Sequence, residues 1–111
     1  MWQSGFMSPD VEFPRPGAIS GAAPGADDDI ALMRRIRERD ERALEELVRR
    51  FERPLYSLAY RVAGSDRFAQ DVVQEVFVKV WRDADRYDSA RGAVSSWLLT
   101  MTRFKGIDML R

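Results

Sequence analysis

The chain has 111 residues, no cysteine and no histidine, and its 18 basic side chains balance 18 acidic ones. These absences exclude disulfides, thiolate or imidazole zinc sites, and Ser-His or Cys-His catalysis. They fit a cytoplasmic location, which we adopt as an expectation. No apolar run approaches the roughly 20 residues of a transmembrane helix, so we expect no membrane insertion. The length suits one small domain.

Residues 1–28 are rich in Pro, Gly, Ala and Ser and include the stretch PRPGAISGAAPGA. They show no sustained periodicity, which predicts a flexible tail over 1–28 and a helical domain over 29–111. The aromatic residues Trp2, Phe6 and Phe13 could dock on another surface. The acids of ADDDI stand where a helix could begin, in favourable interaction with its dipole.

From Asp29 to Gly64, apolar residues recur at spacings of three and four, the helical period. A break near Arg39–Asp40 divides a short first helix from a longer second one. Pro54 should kink the second helix or start a new segment. Gly64 fits a C-terminal stop, and Ser65 or Asp66 can cap the next helix.

The valine-rich stretch DVVQEVFVKVWRD, residues 71–83, poses a choice between strand and helix. An alternating strand would mix charged and apolar residues on one face. A helix, which turns by 100° per residue, places the charged and the apolar residues on separate sides. A helix is therefore predicted despite the β-propensity of valine. Its apolar side carries Val72, Val73, Val76, Phe77, Val80 and Ala84.

Val78 falls on the opposite side of this helix, among Asp71, Gln74, Glu75 and Arg82. One reading is a single exposed valine, which is common in proteins. The other is a partner-binding surface with an apolar centre and a charged rim.

The segment RYDSARG then predicts a loop, and AVSSWLLTMTRFKGIDMLR predicts a last helix. The apolar residues of that helix do not form a single stripe, although core packing is the default for Trp97 and Leu98. Phe104 stands among basic residues, a combination that suits single-stranded nucleic acid. Gly106 costs about 1 kcal/mol relative to Ala inside a helix, which indicates a close approach there.

The segments AQDVVQEVFVKVWRDADRYD and SSWLLTMTRFKGIDMLR closely resemble conserved region 2 of bacterial sigma factors, the extracytoplasmic-function (ECF) group best. The resemblance covers roughly residues 30–111. It implies an all-α fold, a small bundle of three to four helices. It also implies a transcription initiation factor without catalysis of its own, needing no cofactor or metal.

The resemblance further implies that the valine-rich helix docks on the clamp helices of the β′ subunit of core RNA polymerase. Val78 would then lie on the partner face. The matching positions in this sequence are Asp71, Gln74, Glu75, Val78 and Arg82.

The loop 87–93 and the last helix would recognise and help melt the promoter −10 element, with one base of the non-template strand flipped into a loop pocket. Two departures, Phe104 where many relatives have Asn and Met109 where many have Arg, leave the −10 preference open. Asp108 has two readings, an ion pair or a base contact. The implied DNA-binding positions are Tyr87, Asp88, Ser89, Arg91, Trp97, Arg103, Phe104, Lys105 and Arg111.

Two other functions stay open. The domain could serve mainly as an interaction module sequestered by an anti-sigma factor, without independent DNA binding. Asp71 and Glu75 at i, i+4 could also form a carboxylate pair for an enzyme, but no third ligand accompanies them in the sequence. The relatives' second helical domain, region 4, has no counterpart before the chain ends at Arg111, so we expect a single domain or a truncated product.

Overall fold

A computed structural model describes residues 25–111 and has four α-helices. No strand occurs in this range, which confirms the predicted all-α bundle. The first helix begins slightly before the predicted boundary at Asp29, and residues 1–24 of the predicted tail lie outside the described range. The helices are α1 (Ala26–Arg37), α2 (Glu41–Ala63), α3 (Asp66–Asp83) and α4 (Val94–Met109), with 3-10 turns at Ala84–Arg86 and Ser89–Arg91.

Capping residues define both ends of α2 and the start of α3. The Asp40 carboxylate accepts a hydrogen bond from the Arg42 backbone N–H and starts α2, and Ser65 does the same for Phe68 at the start of α3. Gly64 ends α2 in the left-handed conformation at φ 81°. The predicted break between the first two helices, the end of the second helix at Gly64 and the cap at Ser65 are therefore confirmed.

Helix α2 runs through Pro54 without a break, so no new segment begins there. The proline lacks the N–H that would bond to the Arg50 carbonyl one turn earlier. Packing on three sides maintains the helix, because α1, α3 and α4 all contact α2.

The core forms around α2 and confirms the predicted rotational phase of α3. Val72, Val76, Phe77 and Val80 are buried against the other helices, whereas Val73 is only half-buried. The other large apolar residues of the core are Leu32, Met33, Ile36, Leu47, Leu55, Val94 and Leu98.

The broken apolar pattern of α4 has a simple explanation. Its buried residues are Val94, Leu98, Thr102 and Gly106, which follow each other at intervals of four, but only two of them are large and apolar. The Thr102 hydroxyl donates to the Leu98 carbonyl at 2.8 Å, so its burial leaves no unpaired donor. A Cβ on Gly106 would lie 2.9 Å from Val62 Cγ1, which confirms the predicted close approach.

In the part of the chain that the structure describes, no helix combines the length and the apolar character that a membrane crossing requires.

Candidate partner and nucleic-acid surfaces

The outward face of α3 carries the residues that the resemblance assigns to polymerase. Val78 is 55% exposed, whereas Val76, two residues earlier, is 1% exposed. Gln74, Glu75 and Arg82 are exposed around Val78, and Asp71 is half-buried. Arg82 Nε lies 3.5 Å from the Asp83 carboxylate. The structure therefore presents an exposed valine with a charged surround, and its role in binding stays a prediction.

Tyr87, a predicted DNA contact, is a core residue. Its side chain is 4% exposed, its ring lies 5.3 Å from that of Trp97, and its hydroxyl donates to the Gly92 carbonyl at 2.8 Å. Burial raises the pKa of the Tyr87 phenol. The ring therefore faces the bundle and anchors the loop, and the part that Tyr87 plays in DNA binding stays a prediction.

The loop that follows is ordered into a 3-10 turn and leaves its side chains exposed. Asp88 Oδ1 accepts a hydrogen bond from the Ala90 N–H at 2.9 Å, and the Asp88 carbonyl accepts one from the Arg91 N–H at 3.0 Å. Asp88, Ser89 and Arg91 all face solvent. The loop therefore offers hydrogen-bonding groups and one cation on a defined backbone.

Helix α4 displays most of the remaining predicted DNA contacts on its outer surface. Phe104 is 66% exposed between exposed Arg103 and half-buried Lys105, and Arg111 is exposed beyond the helix end. Trp97 is half-buried against Tyr87. An exposed aromatic ring flanked by cations is suited to stack on a base and attract phosphates.

A groove of about 440 Å³ between α3 and α4 brings the two predicted sets together. Glu75 and Arg82 line it from α3, and Phe104, Lys105 and Arg111 line it from the C-terminal part of the chain. Sequence reasoning did not single out Lys79 or Ile107 as members of this groove. Lys79 follows Glu75 by one helical turn, a spacing that could have indicated the shared face.

Two arginines near the α1–α2 turn were also missed. Arg37 donates to the backbone carbonyls of Ala84 and Tyr87. Arg39 adopts a positive φ of 68°, donates to the Trp81 carbonyl at 2.8 Å, and holds its guanidinium 3.9 Å from the centre of the Trp81 ring. No local pattern could reveal these contacts, because their partners lie more than 40 residues away in the chain.

Within residues 25–111, no three carboxylates gather into a group that could hold a metal ion. The Asp71 and Glu75 pair thus has no third carboxylate beside it in this range.

Comparison with known proteins gives one family match and a set of relatives. The family model "Sigma-70 region 2" matches residues 47–111. The chain is 35% identical over 81 residues to the ECF RNA polymerase sigma factor SigK of Mycobacterium tuberculosis (strain ATCC 25618 / H37Rv), an alignment that covers 73% of this chain and 43% of the relative.

Two further relatives carry the same description. The protein of Mycobacterium ulcerans (strain Agy99) is 33% identical over 89 residues, covering 79% of this chain and 48% of the relative. The protein of Mycolicibacterium vanbaalenii is 32% identical over 81 residues, covering 73% and 41%. The chain thus spans less than half the length of these relatives.

Proposed function

The chain belongs to the sigma-70 region 2 family, in the ECF group of sigma factors, and we propose that it acts in transcription initiation. In this proposal the domain binds the β′ clamp helices of core RNA polymerase and the non-template strand of the promoter −10 element. The observation that carries it is the exposed Val78 within a charged surround on α3. The polymerase performs the chemistry, so the domain acts where the polymerase is, in the cytoplasm.

The α3 face supports the polymerase part of this proposal. A valine that points away from the core contributes little to the stability of the fold. It can, however, supply the apolar centre of an interface. Gln74, Glu75 and Arg82 would form the polar rim, where charges set orientation and association rate more than affinity. The half-buried Asp71 would lie at the edge of the contact.

The loop and α4 support the nucleic-acid part. Asp88 and Ser89 present side-chain oxygens to a base edge, and Arg91 adds a cation on the same exposed turn. Phe104 provides a face for stacking, and Arg103, Lys105 and Arg111 surround it with positive charge. Tyr87 contributes by shaping the loop from inside, and Trp97 supports it from α4.

The alternative is an interaction domain that is held mainly by an anti-sigma factor. The exposed apolar side chains of Phe104, Ile107 and Leu110, on the last turns of the chain, favour some protein contact there. Both functions can operate in one protein, because a regulator that covers the α3–α4 groove would block polymerase and DNA together.

Salt dependence separates these two functions. Single-stranded DNA binding should weaken with a log–log slope of about −0.7 per phosphate neutralised. Arg103→Ala should reduce the magnitude of the slope by about 0.7, which corresponds to one phosphate contact. Arg34 is an exposed arginine on α1, and Arg34→Ala should leave the slope unchanged. Saturable single-strand binding with this pattern supports the initiation role. A folded protein that shows no such binding would leave the regulator-held domain as the better account.

A further inference from the structure

The Arg37 side chain, at the end of α1, binds the backbone at the start of the proposed DNA-binding loop. Arg37 Nε donates to the Ala84 carbonyl at 3.3 Å, and Arg37 Nη2 donates to the Tyr87 carbonyl. The Ala84 carbonyl also accepts the Tyr87 N–H at 3.2 Å, within the 3-10 turn that follows α3. Arg37 therefore adds a second donor at this carbonyl and binds the Tyr87 carbonyl just beyond the turn, so it holds the point at which the chain enters the loop.

Tyr87 transmits this constraint to the other end of the loop. Its backbone is held by Arg37, its ring packs on Trp97, and its hydroxyl donates to the Gly92 carbonyl at 2.8 Å. Gly92 has φ 155° and ψ 171°, a backbone conformation that essentially only glycine adopts. The exposed residues 88–91 are therefore held at both ends by the pair Arg37 and Tyr87.

The loop carries hydrogen-bonding groups, and none of its residues 88–91 is buried in the core. Asp88, Ser89, Ala90 and Arg91 are all exposed, and the turn's own hydrogen bonds are to Asp88. Its shape thus depends on the residues at its two ends. A loop that is already held in one shape loses less conformational freedom when it binds a base.

We infer that Arg37 is a positioning residue for base recognition, acting through Tyr87 on the shape of residues 88–91 without touching the nucleic acid. This inference rests on the proposed function and adds α1, which neither predicted surface includes. It requires that loss of Arg37 weaken the preference for one base at the recognised position. It also requires that the number of phosphate contacts stay constant.

The test uses the full chain with Arg37→Ala, Arg37→Lys and the control Arg34→Ala. The probe is short single-stranded DNA with a randomised centre, and bound molecules are sequenced. The wild type and Arg34→Ala should enrich one base at one position. Arg37→Ala should reduce that enrichment on the order of tenfold, the discrimination that one well-formed base contact gives. Arg37→Lys should retain part of it, because an ammonium can still donate to a carbonyl.

Tyr87→Phe provides a second variant that keeps the buried ring and removes only the hydroxyl that bonds to Gly92. It should lose the base preference as Arg37→Ala does. Binding of each variant to an isolated β′ clamp-helix fragment should match the wild type, which establishes that the α3 face is intact.

Three results would contradict the inference. If Arg37→Ala keeps the wild-type base preference, the inference fails and the proposed function stands. If Arg37→Ala weakens all sequences equally and lowers the salt slope by about 0.7, Arg37 is a phosphate contact instead. If the wild type enriches no base, both the inference and the DNA-binding part of the proposed function fail.

Discussion

Lys105 Nζ lies 3.9 Å from Glu75 Oε1, across the groove between α3 and α4. Glu75 belongs to the proposed polymerase face, and Lys105 belongs to the proposed DNA surface. Both side chains are partly exposed, so the pair contributes little to stability, about 0–1 kcal/mol. A polymerase contact that engages Glu75 would release Lys105 for a phosphate.

Glu75→Gln should therefore raise the affinity of the free domain for single-stranded DNA by up to about fivefold, the equivalent of one weak surface ion pair. Fluorescence anisotropy with a labelled single strand at low salt measures this change. Asp71→Asn removes the same charge one turn earlier on α3 and serves as the control. An equal gain in both variants would show a general charge effect and would exclude a specific release of Lys105.

A second prediction concerns the contact between α4 and α2 at Gly106. Alanine improves helix propensity by about 1 kcal/mol over glycine. At Gly106, however, the added Cβ would lie 2.9 Å from Val62 Cγ1, and overpacking of this kind costs about 1–3 kcal/mol. Gly106→Ala should therefore lower the free energy of unfolding, by about 1 kcal/mol, in urea denaturation.

The same substitution should reverse its sign when space is provided. In a Val62→Ala background, Gly106→Ala should stabilise the protein by less than about 1 kcal/mol. The 2.9 Å contact with Cγ1 is then gone, while the Cβ of residue 62, 3.3 Å from the added Cβ, still offsets part of the propensity gain. Stabilisation of similar size in both backgrounds would mean that the two helices are not in close contact at this point.

A feature of this structure could be predicted from the sequence when the residues that determine it are close together in the chain. The rotational phase of α3 and the Ser65 cap follow from neighbouring residues, so local periodicity and capping preferences were sufficient. The buried face of α4 was harder to predict because Thr102 and Gly106 occupy it. A hydropathy pattern does not mark a threonine with an internal hydrogen bond or a glycine in a helix contact as buried.

The loop was the least predictable part of the candidate site. A tyrosine beside an aspartate in a turn suggests exposure, yet Tyr87 is buried because Trp97 packs on it and Gly92 accepts its hydroxyl. Arg37 holds its backbone from another helix. Only the tertiary arrangement brings these residues together, and the family resemblance supplied the loop's position but not its interior contacts.

The pH dependence of stability should contain a contribution from Asp40. The hydrogen bond from Arg35 lowers the pKa of this carboxyl below its ordinary value of 3.8. A lowered pKa in the folded state means that the ionised group stabilises the fold above that ordinary value, and that this contribution is lost as the pH falls through the folded pKa. Glu46, whose pKa is also lowered, chiefly by Arg49, adds to the same trend.

Asp40→Asn isolates this contribution, because asparagine still caps α2 but does not titrate. The wild type should be the more stable protein at neutral pH, and the difference should shrink towards zero well below pH 3.8. Urea denaturation at several pH values and low salt measures it. A difference that stays constant with pH would assign the effect to side-chain shape rather than to charge.

Phe104 should act as a stacking residue. Phe104→Ala should weaken single-stranded DNA binding by about 1–3 kcal/mol, the usual range for one base–aromatic stack, and should leave the salt slope unchanged. Stability should change little, because the ring is 66% exposed. Leu110→Ala, at a residue 51% exposed, is the matched control. Equal losses in the two variants would indicate a general apolar surface effect.

The central claim is that the outward face of α3 binds the polymerase, and Val78→Asp is the variant that addresses it. Val78 is 55% exposed. The free energy of unfolding of the Val78→Asp protein should therefore stay within about 0.5 kcal/mol of the wild-type value. Leu110→Asp places the same charge at an exposed apolar position outside that face. Val76→Asp, by contrast, should unfold the domain, because Val76 is buried.

The most direct measurement is calorimetric titration of the chain with the isolated β′ clamp-helix fragment of a bacterial RNA polymerase, for the wild type, Val78→Asp and Leu110→Asp. We expect saturable binding by the wild type and by Leu110→Asp, and a loss of at least about 2 kcal/mol in Val78→Asp, as for the centre of an interface. Equal binding by all three folded proteins would remove Val78 from the interface. No binding by the folded wild type would contradict the polymerase-binding function itself.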